Sequence, residues 1–159
     1  MDIVLNLKRK YRVELSFSDF IECYQHEVYQ LCFYMIGKRE VAEQIAQTAF
    51  IEAYRNIRVY NNCAKVRSKL FRITVDLVLE SLRETTNQIT EIENAESIDA
   101  IQREIFMLEA SDRLAFVLKH IVGYSVEKIS DIMQLPKSNV RKKIHFSLEV
   151  LRKQMIDKV

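Results

Sequence analysis

The sequence predicts an all-α protein: two small helical domains joined by an acidic linker, the second ending in a helix-turn-helix. Three observations carry this. The 159 residues hold only 2 Gly and 1 Pro while 48% are hydrophobic, so tight turns are few and apolar surface is plentiful. Apolar residues recur at helical spacing from Phe17 onward. Charge is segregated although the net is only +2. Residues 55–72 carry Arg55, Arg58, Lys65, Arg67, Lys69 and Arg72 and no acid. Residues 87–112 are acidic apart from Arg103, and Lys137 to Val159 is basic apart from Glu149 and Asp157. Two basic blocks, each beside an amphipathic helix, point to two polyanion-binding surfaces on separately folded helical bodies. The alternative for each block is a merely solvated face.

In chain order, residues 1–15 mix Lys8, Arg9, Lys10 and Arg12 with apolar neighbours and read as a tail. Ser16 or Ser18 is placed to cap the first helix, whose apolar face runs Phe17, Phe20, Ile21, Tyr24, Val28, Leu31, Cys32, Met35; Gly37 ends it. A second helix spans about Glu40 to Asn56. Its stripe includes Val41, Ala42, Ile45, Ala46, Ala49, Phe50 and Ala53, alanines permitting close approach of a neighbour. Its opposite face, Glu43, Gln44, Gln47, Thr48 and Glu52, is either solvated or docks a partner. Asn61 and Asn62 mark a loop. A third helix, about Ala64 to Glu84, has Leu70, Phe71, Ile73, Leu77, Val78 and Leu82 as expected core and a cationic front half suited to phosphate.

The polar stretch from Thr85 reads as linker, dividing the chain into a tail (1–15), a first domain (16–86), a linker (87–100) and a second domain (101–159). Helical patterning resumes at Ile101, Ile105 and Leu108, breaks near Glu109 to Ser111, continues through Leu114, Val117, Leu118 and Ile121, and closes at Gly123. Two amphipathic segments follow, joined by the break Gln134-Leu135-Pro136. Ser125 stands at the first N-cap with Glu127 in the first turn, favourable against the helix dipole. Val126, Ile129, Ile132 and Met133 line one segment; Val140, Ile144, Leu148 and Leu151 line the other. The second segment opens with polar Lys137, Ser138, Asn139, Arg141, Lys142 and His145, the position from which a recognition helix reads the major groove. A plain helical hairpin with a basic outer face is the competing reading.

Other classes find little support. No apolar run nears the ~20 residues of a membrane span, and the N-terminus lacks signal-peptide order. Cys23, Cys32 and Cys63 read as free thiols of a reducing cytoplasm. Cys23, His26 and Cys32 sit too far along one helix to gather a single ion, so neither metal nor cofactor is expected. Phosphate-binding loops, zinc-protease motifs and nucleophile elbows do not occur, so an enzyme with a small-molecule substrate is not expected.

The ordered motifs resemble the extracytoplasmic-function (ECF) group of bacterial sigma-70-type sigma factors over about residues 16–155. Phe17-Ser18-Asp19-Phe20 with Tyr24, Val28 and Tyr29 is similar to that family's opening helix. Gly37 to Tyr54 is similar to the segment of region 2 that grips core polymerase. Leu70-Phe71-Arg72-Ile73 through Leu82-Arg83 resembles the helix at the −10 promoter element. Gln102 to Phe106, Gly123-Tyr124-Ser125 and Val140 to His145 resemble region 4, which reads the −35 element. The resemblance implies a transcription initiation factor whose partners are RNA polymerase core (β′ clamp and β flap), promoter DNA and an anti-sigma factor. It places Glu43, Gln44, Gln47 and Phe50 at core polymerase. Arg58, Tyr60, Lys65, Arg67, Lys69 and Arg72 fall at the −10 region, with Tyr60 available to stack on an opened strand. Lys137, Ser138, Asn139, Arg141, Lys142 and His145 fall at the −35 duplex. The sequence departs from the family where Lys69 replaces a tryptophan, Asp76 an asparagine, and Val41 and Gln44 two acids. A sigma-like DNA-binding regulator that needs a partner protein, or a helical interaction module with incidental basic faces, are the alternatives.

Overall fold

Local capping decides where the helices of the N-terminal half begin and end. In the computed structural model, which describes residues 16–56, 63–84 and 100–157, helix α1 spans Phe17–Ile36. The Ser16 hydroxyl accepts the Asp19 N–H at 3.1 Å, filling one of the orphan donors of the first turn. Gly37 stops the helix in the left-handed region (φ 77°), its N–H donating to the Phe33 carbonyl at 2.7 Å. Helix α2 spans Arg39–Arg55 and α3 spans Cys63–Glu84. These three pack together around Phe20, Tyr24, Leu31, Met35, Leu70 and Phe71, all essentially inaccessible. Ala42, Ala46, Ala49 and Ala53 are buried at steps of four, three and four, so small side chains run along the contacting stripe of α2. Val66, Thr74 and Val75 join the buried side of α3, whereas Ile73, Leu77 and Leu82, expected in the core, lie at its half-exposed border. Thr74 is tolerated because its hydroxyl donates to the Leu70 carbonyl at 2.7 Å.

The C-terminal half contains α4 (Ala100–Met107), α5 (Ala110–Phe116), a π-helical turn (Val117–Val122) continuing α5, α6 (Val126–Met133) and α7 (Lys137–Asp157). Leu108 and Glu109 form the expected break, one or two residues early. Gly123 (φ 92°) ends the π turn, and the N–H groups of Gly123 and Tyr124 both donate to the Leu118 carbonyl, at 3.1 and 2.9 Å. Nothing in the apolar spacing distinguishes this wider turn from α-helix.

Two expected core positions are corrected. Ile101 is 51% exposed, and Leu148 is exposed at 36% while Ser147 takes its place. The buried stripe of α7 is thus Val140, Ile144, Ser147 and Leu151. Ser147 can be interior because its hydroxyl lies 2.8 Å from the Lys143 carbonyl and 3.2 Å from the Asp112 carbonyl.

The two halves also pack on each other, and their buried residues form one continuous cluster. The Phe106 ring of α4 stands edge-on to Phe33 of α1 (6.2 Å between centroids), and the Gln102 amide donates to the Tyr34 hydroxyl at 3.4 Å. The Arg113 guanidinium of α5 crosses to the Met35 carbonyl in the last turn of α1. Tyr124 packs edge-on against Phe71 of α3 at 5.0 Å.

Candidate nucleic-acid interface

The turn between α6 and α7 is built by its own side chains. Ser125 caps α6 by accepting the Lys128 N–H at 3.3 Å. Gln134 adopts φ 54°, a left-handed C-cap outside glycine's preserve, and the Ser130 hydroxyl donates to the Leu135 carbonyl across the turn. The Pro136 carbonyl accepts the first two bonds of α7, from Asn139 at 3.0 Å and Val140 at 3.1 Å. Ile129, Ile132, Val140 and Ile144 bury the inner faces. What remains outside is the leading turn of α7: Lys137, Ser138, Asn139, Arg141, Lys142 and His145 are all exposed. Glu127, at the start of α6, is held below the usual carboxylate range, chiefly by its own backbone N–H, with burial opposing and the charges of Lys137 and Arg141 assisting. His145 meets Glu149 at 3.1 Å, but both are so exposed that the pair leaves the imidazole accessible. Lys143 points the other way, reaching the buried Asp112 carboxylate at 3.4 Å and fixing α7 on α5.

The second cationic surface is less uniform. Arg72 is exposed and Lys69 partly so, on the outer side of α3. Arg58 and Tyr60 lie outside the described residues, as does the side chain of Lys65. Arg67 differs from expectation: its Nη2 pairs with Glu27 at 3.1 Å and its Nε donates to the Tyr124 hydroxyl at 2.6 Å. In this arrangement its charge is satisfied internally.

A third feature is the groove between α1 and α2, about 660 Å³, bordered by Phe17, Tyr29, Glu43, Gln47 and Ile51. Glu43, Gln44 and Gln47 are exposed as expected. Phe50 is not a surface residue: at 3% exposure, with its ring edge-on to Phe20 at 5.5 Å, it belongs to the core and only floors the groove. Cys23 and Cys32 are buried free thiols; burial pushes Cys32 from its ordinary 9.0 up to about 12. Among the described residues no cluster of His, Cys, Asp or Glu could hold a metal ion, and no helix is long and apolar enough to cross a membrane. Sequence reasoning missed Tyr124 as a contact of the cationic helix, because nothing in local spacing signals a partner 57 positions away.

A helix-turn-helix with an exposed cationic reading turn, set on an all-helical body, defines a DNA-binding protein. The Sigma-70 region 2 family model matches residues 20–88 and the Sigma-70, region 4 model matches residues 98–151. The ECF RNA polymerase sigma factor SigW of Bacillus subtilis (strain 168) is 31% identical over 168 aligned positions, covering 89% of this chain and 90% of the relative. The ECF RNA polymerase sigma-E factor of Escherichia coli (strain K12) is 27% identical, covering 86% and 84%. CnrH, solved in complex with the cytosolic domain of CnrY, shares the fold with a TM-score of 0.70 at 15% identity, covering 90% of this chain and 89% of that one. The sigma factor RpoE of Bartonella quintana, solved with the anti-sigma factor NepR, matches with a TM-score of 0.70 at 16% identity, covering 87% and 96%. The chain belongs to the ECF group of the sigma-70 family and is an RNA polymerase sigma factor directing promoter recognition.

Proposed function

We propose that this sigma factor works through three faces, with residues 16–86 as the region 2 domain, 87–100 as linker and 101–159 as the region 4 domain. The leading turn of α7 enters the major groove at the −35 element. There Arg141 and Lys142 are suited to guanine and Asn139 to adenine, with Lys137, Ser138 and His145 flanking them. The front of α3, with Lys65, Arg67, Lys69 and Arg72, holds the −10 region together with Arg58 and Tyr60 of the preceding sequence, phosphate contacts giving affinity and the opened strand giving specificity. The groove between α1 and α2, bordered by Glu43 and Gln47, takes the β′ clamp of core polymerase together with the exposed Gln44 on α2. Exposed Leu148 and Met155 on α7 supply apolar surface for the β flap. The chain acts in the cytoplasm by binding alone, without catalysing a reaction. CnrH and Bartonella RpoE are each solved with a bound partner, which supports an anti-sigma factor for this chain too.

The observation that carries this reading is the six-residue polar turn of α7, exposed while the inner face of the same turn is buried. Footprinting of reconstituted polymerase tests it. Wild-type chain plus core should protect a cognate promoter across both elements, and Asn139→Ala should lose discrimination at one upstream base pair. Upstream protection that is insensitive to all six side chains would contradict the assignment.

A further inference from the structure

Exposure groups Phe146 with Leu148 and Met155 as apolar residues of α7, but phase on the helix separates it from them. At about 100° per residue, Phe146 stands roughly half a turn round the axis from those two. Leu148 and Met155 border the buried stripe of Val140, Ile144, Ser147 and Leu151. Phe146 instead follows Lys142 by four positions and Asn139 by seven, so the three share the face assigned above to the −35 duplex. Contacts on the other side of the helix fix its roll. Lys143 reaches the Asp112 carboxylate at 3.4 Å, and the Ser147 hydroxyl donates to the Asp112 carbonyl at 3.2 Å. With those two turned inward, Phe146 is held outward.

The ring is 53% exposed on an otherwise polar face, where Lys142, His145, Glu149 and Lys153 surround it, all exposed. A lone apolar residue on a protein surface is ordinary and by itself signals nothing. What singles out Phe146 is its place in line with residues that read bases. A phenyl ring makes no conventional hydrogen bond, so it cannot read the donors and acceptors of a base edge. It can cover the one apolar group that the major groove presents, the 5-methyl of thymine. Long side chains on a helix lean toward its N-terminus, which carries the ring toward Lys142 and the base edges. Helix rise puts Phe146 about 10 Å beyond Asn139, the length of about three base-pair steps.

We propose that Phe146 is a specificity-determining residue of the −35 contact: its ring covers the 5-methyl group of a thymine about three base pairs from the pair read by Asn139. Cytosine at that place presents no methyl to the ring, so thymine is selected by burial of one apolar group and not by hydrogen bonding. This deepens the −35 assignment of α7 and rests on it.

The test uses holoenzyme reconstituted from core polymerase and the full chain. Its probe is the upstream duplex that this holoenzyme protects in a footprint. Each thymine of the duplex is replaced in turn by deoxyuridine, which pairs identically and lacks only the methyl. Wild type should lose about three- to tenfold in affinity at one position, near the pair whose discrimination Asn139→Ala abolishes. Phe146→Ala should bind the thymine and deoxyuridine duplexes equally, and Phe146→Leu should keep part of the difference. A thermal melt checks that both variants are folded. No position sensitive to deoxyuridine, or a sensitive position that Phe146→Ala leaves sensitive, would overturn the proposal; the −35 assignment survives that result if Asn139→Ala still loses discrimination. Insensitivity of the upstream duplex to both Asn139→Ala and Phe146→Ala would sink the −35 assignment itself. Loss of core-polymerase binding by Phe146→Ala with thymine preference intact would place the ring at the polymerase surface instead.

Discussion

At Arg141, Phe50 and Cys32 the chain's chemistry is open to single substitutions. Arg141 is exposed on the reading turn, and its charge helps hold Glu127 ionised. Arg141→Ala should weaken binding to the cognate upstream element by about 1–3 kcal/mol and relax preference at one base pair. A titration series against single-base variants checks this, and equal loss on every sequence would mark a phosphate contact instead. Phe50→Ala removes a core ring and should cost about 3–5 kcal/mol in a urea melt. A loss below about 1 kcal/mol would return Phe50 to the surface. Cys32 binds its proton more tightly folded than unfolded, since burial raises its pKa from 9.0 to about 12. Its contribution is therefore complete below pH 9 and declines as pH rises between about 9 and 12. In urea melts, wild type should lose up to about 1.4 kcal/mol per pH unit more than Cys32→Ala over that window. Parallel slopes would show that the thiol ionises as easily folded as unfolded. What spacing revealed at this scale was which side of each helix is polar. It misplaced Leu148 because four-residue steps fit a helix face as well as the observed four-three-four, and a serine satisfied by the Asp112 and Lys143 carbonyls looks polar in sequence but is interior in fact.

The helices themselves were the most legible level, because capping chemistry is local. Ser16, Gly37, Ser125 and Gly123 each mark a terminus where the sequence places one. Gly37→Ala would force a Cβ into the left-handed region. Phe106 stands in ordinary contact at 3.5 Å, so the cost is backbone strain, about 1–2 kcal/mol. A drop of that size in unfolding free energy with DNA binding retained is expected; an unchanged stability would contradict the capping role. The π turn at Val117–Val122 stayed invisible, since five-residue bonding leaves no periodic mark in so short a segment. On α2, Gln47→Lys alters only the exposed face bordering the groove. It should leave the melting temperature unchanged and weaken association with core polymerase. Equal destabilisation and weakening would instead trace the effect to folding.

For the whole molecule, the order of units was readable from charge segregation and apolar period, and the family matches fall on the same order. Their mutual docking was not readable. Phe106 on Phe33, Gln102 on Tyr34 and Tyr124 on Arg67 are contacts between residues dozens of positions apart, each unremarkable in its own helix. An arginine that pairs with Glu27 and Tyr124 is, in sequence, the same as one that waits for phosphate. The central claim is that this chain recruits RNA polymerase to promoters by reading two DNA elements. Run-off transcription with purified core enzyme and a promoter carrying both elements measures it most directly. Addition of the wild-type chain should yield a discrete transcript that requires both elements and vanishes when Lys137, Arg141 and Lys142 are replaced together by alanine. Absence of any transcript despite a folded chain, or a transcript indifferent to those three cations, would contradict it.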